Sequence, residues 1–307
     1  MSEGQVDLPV DWARRIDKLP ADGGPSGSAW LRRLPGLLAE VLERWSVQVT
    51  GPPMTGRTAL VVPVRRDQIP LVVKVVWPQP ETAAEHLALR AWAGRGAVRL
   101  VAAEPSSGAL LLERLDPQRT LAHVPTDDAC GVIGSLMSQL HVPAPASIPT
   151  VAEHLERHLP TLEGGVAASG VPRRIVTRTL GLARELLAEP GVPRLLHGDL
   201  RVDNVLGGRV GAEDEWVAID PQPLAGHPGF DLQPLLCSRF DELGTGSALR
   251  WAVRHRLELV ADSSGIDDEQ LRLWSLVRTG LQIGWAAAGG HVDRESRQIA
   301  IFKALDA

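Results

Sequence analysis

The eight residues His197-Gly198-Asp199-Leu200-Arg201-Val202-Asp203-Asn204 decide how the rest of the chain is read. A short apolar run, Arg194-Leu195-Leu196, leads in, and Val205-Leu206 leads out to a Gly207-Gly208 turn. Sixteen residues beyond Asn204, the strand-like run Trp216-Val217-Ala218-Ile219 ends on Asp220, with Pro221 next. A histidine, a glycine, two aspartates and an asparagine thus crowd one loop. Phosphoryl transfer from a nucleotide needs a carboxylate to take the proton of the attacking hydroxyl, and an amide and a second carboxylate to hold Mg²⁺. Asp199, Asn204 and Asp220 supply these in that order. About a turn of chain separates base from amide, so that one reaches the acceptor while the other reaches the metal. A polar loop between two short strands would account for the octet, but not for the placing of Asp220 at the end of the next strand.

His-Gly-Asp-Leu-x-x-x-Asn followed by Ile219-Asp220-Pro221 resembles the aminoglycoside phosphotransferases, antibiotic kinases related to protein kinases. The protein-kinase loop has Arg where this chain has Gly198, and Phe-Gly where it has Pro221-Gln222. Those departures point to a small-molecule kinase. Leu111-Leu112-Glu113-Arg114-Leu115-Asp116, Leu89-Arg90-Ala91-Trp92 and Gly226-His227-Pro228-Gly229-Phe230-Asp231-Leu232 are similar to the streptomycin 6-kinase and hydroxyurea phosphotransferase branch. The resemblance runs from about Trp30 onward and implies an α+β, protein-kinase-like bilobal fold. Residues 1–116 would form an N-terminal nucleotide-binding lobe of about five antiparallel strands and a helix, with an N-terminal helical arm. Residues 117–307 would form a mainly helical C-terminal lobe for catalysis and acceptor binding. ATP is the implied donor, with GTP as the alternative, used with Mg²⁺. The implied acceptor is a cationic aminoglycoside, streptomycin at its 6-hydroxyl, and the outcome antibiotic resistance. Hydroxyurea or another small metabolite is the rival acceptor. A catalytically inactive kinase fold acting as a binding module is the rival from another class, but its mark, loss of the lysine, base or a metal ligand, is absent.

Lys74 lies in the apolar run Leu71-Val72-Val73-Lys74-Val75-Val76 and is one of only three lysines, with Lys18 and Lys303. A buried ammonium needs a partner. In a kinase it has nucleotide phosphates on one side and a helix carboxylate on the other; Glu85 fits that place best and Glu81 next. The alternative is a lysine on the wet face of a half-exposed strand. By the resemblance, Gly56-Arg57-Thr58 is the glycine-bearing turn over the phosphates, although a plain hairpin turn suits those residues equally. The resemblance also makes Glu113 to Leu115 the hinge whose backbone pairs with the adenine edge. His197 becomes a brace for the loop, and Asp231 the acceptor of backbone N–H groups from it. His141, His154, His158 and His255 stand at no metal spacing and read as surface residues.

A hydrophobic content of 44% with 22% charged residues suits a globular protein with a sizeable core, and the net charge of −5 argues against nucleic acid or an anionic membrane as partner. The acid is concentrated late: residues 119–307 carry 24 Asp and Glu against 18 Lys and Arg, residues 1–118 carry 13 against 14. Two cysteines at no metal spacing fit a reducing compartment. Met1-Ser2-Glu3-Gly4 lacks the basic and apolar regions of a leader, and no apolar run approaches a membrane span. The expectation is a cytoplasmic protein without membrane partners.

Local pattern predicts a short helix over Asp11–Lys18 and a longer one capped by Ser28, kinked or divided at Pro35. Strands are expected over Val47–Val49, Thr58–Val64, Leu71–Val76, Val98–Ala102 and Ala109–Glu113. A helix over Thr126–Leu140 is followed by others at about 150–159, 172–188, 228–240, 246–262, 267–286 and 291–305, with Pro143–Pro149 and Glu163–Gly170 as loops.

Overall fold

A computed structural model describes residues 6–21, 24–169, 171–189, 191–209, 212 and 215–307; the expectation drawn from Met1–Gly4 lies outside them. The chain divides into two compact units, Met1–Asp116 with Gly208–Glu215, and Pro117–Gly207 with Trp216–Ala307. The sequence had suggested one unbroken run for the second. The return of 208–215 to the first unit was not expected.

In the first unit, α1 (Val10–Asp17) and α2 (Gly27–Arg44) precede a six-stranded antiparallel sheet. The cap of α2 is Ser26, not Ser28: its hydroxyl accepts the Ala29 N–H at 3.3 Å, and the helix continues through Pro35. The strands are β1 (Gln48–Val49), β2 (Met54–Thr55), β3 (Ala59–Arg66), β4 (Ile69–Val76), β5 (Leu100–Glu104) and β6 (Ala109–Glu113). Their order is β1-β3-β4-β6-β5, with β2 also paired to β3. The unforeseen strand is β2, two residues long. Val62, Val64, Leu71, Val73, Val75 and Leu111 pack one face of the sheet onto Trp12, Ile16, Trp30, Leu34 and Leu38 of the two helices. Successive strand residues point to opposite faces, so the register that buries Val73 and Val75 sends Lys74 to the other side. There it meets α3 (Glu85–Trp92).

The second unit is mainly helical: α4 (Thr126–Leu140), α5 (Val151–Ser169) and α6 (Arg173–Ala188), then α7 (Gln233–Leu236), α8 (Gly246–Ser264), α9 (Asp268–Ala288) and α10 (Val292–Leu305). Between α6 and α7 lie two antiparallel pairs, β7 (Arg194–Leu196) with β10 (Leu224–Gly226), and β8 (Val205–Leu206) with β9 (Val217–Ala218). Helices α5, α6 and α10 pack on α9, whose glycines admit close neighbours. A Cβ on Gly284 would lie 2.8 Å from Leu162 Cα, and one on Gly280 would lie 2.2 Å from Thr179 Oγ1.

Two expectations are corrected here. Helix α5 does not stop near residue 159 but runs through Pro160 and Gly164 to Ser169, so 163–169 is helix. Burial of Leu162 against Gly284 outweighs the local breakers. The single helix expected at 228–240 is three short pieces: a 3₁₀ turn Pro228–Asp231, α7, and a second 3₁₀ turn Phe240–Glu242. Pro228 and Pro234 each start a piece, and Arg239 at φ +49 breaks the helical path before the last.

Candidate active site

The octet 197–204 leaves β7, passes a 3₁₀ turn over Val202–Asn204 and enters β8. Gly198 sits at φ +77, and a Cβ there would lie 1.8 Å from the Gln222 carbonyl oxygen. Only glycine fits, which explains the departure from arginine at this position. Gln222 N–H in turn donates to His197 O at 2.8 Å, tying the loop to the segment after Asp220.

Asn204 Nδ2 donates to the Asp199 carboxylate Oδ2 and to the Asp199 main-chain oxygen, both at 2.9 Å. An amide that spends its nitrogen this way has Oδ1 to offer a cation. Asp220 approaches the same end of the β8–β9 pair. Val205 pairs with Ala218, and Ile219 N–H donates to Asn204 O at 2.9 Å, so Asp220 follows one step past Asn204's partner. It holds φ +57, one of five non-glycine residues in that region among those described, and aspartate tolerates it better than most. Asn204 and Asp220 would offer hard oxygens, one amide and one carboxylate, the kind of donor that Mg²⁺ takes. Among the described residues no group of three or more His, Cys, Asp or Glu is placed to hold a metal ion.

The loop is braced from beneath. Asp231, fully buried, accepts His197 N–H at Oδ2 and Gly198 N–H at Oδ1, each at 2.7 Å. His197, also buried, accepts Asp199 N–H at Nδ1, 3.3 Å. Burial alone would raise the Asp231 carboxyl. The hydrogen bond from His141 and the charges of His141, Arg278 and His197 reverse that and hold it below the usual carboxylate range.

In the first unit, Lys74 Nζ lies 2.5 Å from Glu85 Oε1, and their side chains are 5% and 3% exposed. Glu81 is exposed in a separate 3₁₀ turn, and the wet-face reading of Lys74 is excluded by its burial. The Gly56 N–H closes the hairpin onto Ala59 O at 2.9 Å, and its carbonyl accepts from Arg15. Its donor is therefore engaged within the turn. Glu113 N–H is likewise given to Arg99 O at 3.1 Å, and Leu115 is buried.

Sequence reasoning missed several residues. Arg209 donates from Nε and Nη2 to Glu113 Oε1 and from Nη1 to Glu215, and reaches the carbonyls of Gly94 and Ala97. Arg278 of α9, whose guanidinium donates to Gly198 O, is another. The four histidines read as surface residues are not free on the surface. His141 Nε2 lies 3.2 Å from Asp231 Oδ2. His154 and His158 sit against Trp285, and His154 also meets the Phe230 ring. His255 stacks on Trp251 and pairs with Asp127. Burial, then the positive charges of His158, Arg278 and Arg157, push His154 down to about 3.

Residues 44–290 match the family model described as aminoglycoside/hydroxyurea antibiotic resistance kinase. The chain belongs to that family. A streptomycin 6-kinase of Streptomyces glaucescens is 38% identical over 92% of each chain. A hydroxyurea phosphotransferase of Kitasatospora aureofaciens is 39% identical over 96% of this chain and 88% of its own. A thermostable mutant of an aminoglycoside phosphotransferase, solved as a ternary complex with AMP-PNP and hygromycin B, superposes with a TM-score of 0.57. It covers 89% of this chain and 98% of its own at 13% identity, a likeness of fold alone. This antibiotic resistance kinase therefore has the kinase-like α+β fold that its catalytic loop suggested, and no described helix is long and apolar enough to cross a membrane.

Proposed function

We propose that this kinase transfers the γ-phosphate of ATP to a hydroxyl of an aminoglycoside, the 6-hydroxyl of streptomycin, so inactivating the antibiotic. The observation that carries the reading is the hydrogen bond from Asn204 Nδ2 to Asp199 Oδ2, which sets base and metal ligand side by side. In the transfer, the acceptor oxygen bonds to the γ-phosphorus as the bond to the β,γ-bridging oxygen breaks; the hydroxyl proton goes to Asp199 and ADP leaves. Lys74, oriented by Glu85, binds the nucleotide phosphates. Asn204 and Asp220 would hold Mg²⁺, which when bound offsets phosphate charge. The carbonyl of Glu113 and the backbone of Leu115 take the base. His197 and Asp231 hold the loop. The two free cysteines, Cys130 and Cys237, suit action in the cytoplasm.

The relative that phosphorylates hydroxyurea, by its name, is as similar as the streptomycin kinase, so hydroxyurea is the second acceptor to weigh. Streptomycin carries two guanidinium groups and a methylamino group, whereas hydroxyurea is small and neutral. The acid surplus of residues 119–307 favours the cation, although part of it, such as Asp267 capping α9, serves helix N-termini. ADP release with streptomycin, hydroxyurea and other aminoglycosides, at saturating ATP, is the test. Streptomycin turnover whose kcat/KM falls as salt rises is expected, since screening acts over about 8–10 Å at 0.1–0.15 M. Turnover of hydroxyurea alone would overturn the acceptor and leave the kinase chemistry standing; no turnover of any hydroxyl compound would favour the binding module.

A further inference from the structure

Arg278, on α9, is a buried charge that the transfer described above does not use. One arm of its guanidinium, Nη1, donates to Phe230 O at 2.8 Å, and the other, Nη2, donates to Gly198 O. The group lies over the Phe230 ring, 4.8 Å from its centroid, and 3.9 Å from Asp231 Oδ1. Gly198 is therefore gripped at both polar atoms, its N–H by Asp231 and its carbonyl by Arg278.

The need for that grip follows from the glycine. No side chain fits at position 198, but a glycine places little steric restraint on the peptide that follows it. That peptide is planar, so its carbonyl oxygen and the Asp199 N–H turn together. Anchoring the oxygen fixes where the Asp199 main chain points. Arginine suits the task because its rigid fork can serve two carbonyls at once, which an ammonium on a flexible stem does poorly. Packing alone would be met more cheaply by an uncharged side chain, since burial disfavours the guanidinium's charge and the carboxylates of Asp231 and Asp199 must offset it.

We propose that Arg278 is a positioning residue for phosphoryl transfer, holding the Gly198 carbonyl so that the peptide leading into Asp199 presents its carboxylate to the acceptor hydroxyl. The inference rests on Asp199 as the base. Arg278→Gln and Arg278→Lys are compared with Arg256→Gln, which removes another buried arginine whose main-chain acceptors, the carbonyls of Leu235 and Ser238, are not part of the loop. Arg278→Gln is expected to lower kcat by about 10- to 100-fold, the scale of a small misplacement of a reacting group, with KM for ATP and acceptor within about 3-fold. Arg278→Lys should recover part of the loss, and Arg256→Gln should keep kcat within about 3-fold even where its Tm falls as far. In an Asp199→Asn background, Arg278→Gln should lower kcat no further, since two residues acting through one group are not additive. Near-wild-type kcat in Arg278→Gln, or a full loss that persists without Asp199, overturns the proposal alone. If Arg278→Gln does not fold, Arg278→Lys decides by the same readouts. Wild-type turnover in Asp199→Asn by itself overturns the base assignment, and this inference with it.

Discussion

Lys74 and Glu85 form a buried ion pair, so each holds the other in place. Removing one member of a buried pair costs about 3–5 kcal/mol, whereas replacing both with apolar residues can be neutral. Lys74→Ala should therefore lower stability in urea and weaken nucleotide binding, with a smaller effect on acceptor KM. Lys74→Met with Glu85→Leu should restore most of the stability and none of the turnover. A double variant as unstable as the single one would mean that the pair is not what the lysine's loss exposes. Asp199→Asn separates the other role. It leaves an acceptor oxygen for Asn204 but no base, so kcat should fall by about 10²–10⁴ while ATP binding, followed by titration, changes little. Asp220→Ala should instead raise the Mg²⁺ concentration needed for half-maximal rate. An unchanged Mg²⁺ titration would reduce Asp220 to a turn residue after β9.

At the scale of elements, α9 owes its packing to two glycines that its neighbours approach closely. Gly284→Ala should destabilise by about 1–3 kcal/mol, because the new methyl meets Leu162 backbone and an overpacked site strains. Gly181→Ala, exposed within α6 with nothing near its Cβ position, should stabilise by about 0.5–1 kcal/mol through helix propensity alone. Thermal melts of the two variants give the sign of each. The same contact shows where sequence reading ran out. The catalytic loop, its strands and the lysine strand were legible because their chemistry or alternation is local. The second half of α5 was not: Pro160 and Gly164 read as an ending, and the residue that keeps the helix going, Gly284, stands more than a hundred positions away. Asp231 was found through its Gly-Phe-Asp-Leu setting. His141, just past the end of α4, and Arg278, within α9, meet it or the loop and carry no local sign in the sequence of that contact.

For the molecule as a whole, three half-buried histidines contribute to how stability depends on pH. His86, His154 and His227 are each lowered, desolvation being the largest cause in every case, and His154 is lowered furthest, to about 3. A histidine neutral in the folded chain takes up a proton near pH 6.5 when the chain unfolds. Between about pH 6.5 and pH 3 the unfolded state therefore binds more protons, and stability must fall as pH falls through that window. Asp231 extends the loss downward, since its depressed carboxyl keeps its charge until acid reaches it in the folded state, below the point at which it protonates in the unfolded chain. The net charge of −5 at neutral pH sets only a mild repulsion and does not reverse this order. His154→Phe keeps an aromatic ring against Trp285 and Phe230 but removes the proton site. Urea unfolding at pH 7.5 and pH 5.0 should show the wild type losing about 1–2 kcal/mol more than the variant over that interval, the part of a shift of this size realised by pH 5. Parallel losses in the two proteins would mean that His154 is protonated in the folded state, and that its contacts with His158 and Trp285 admit water.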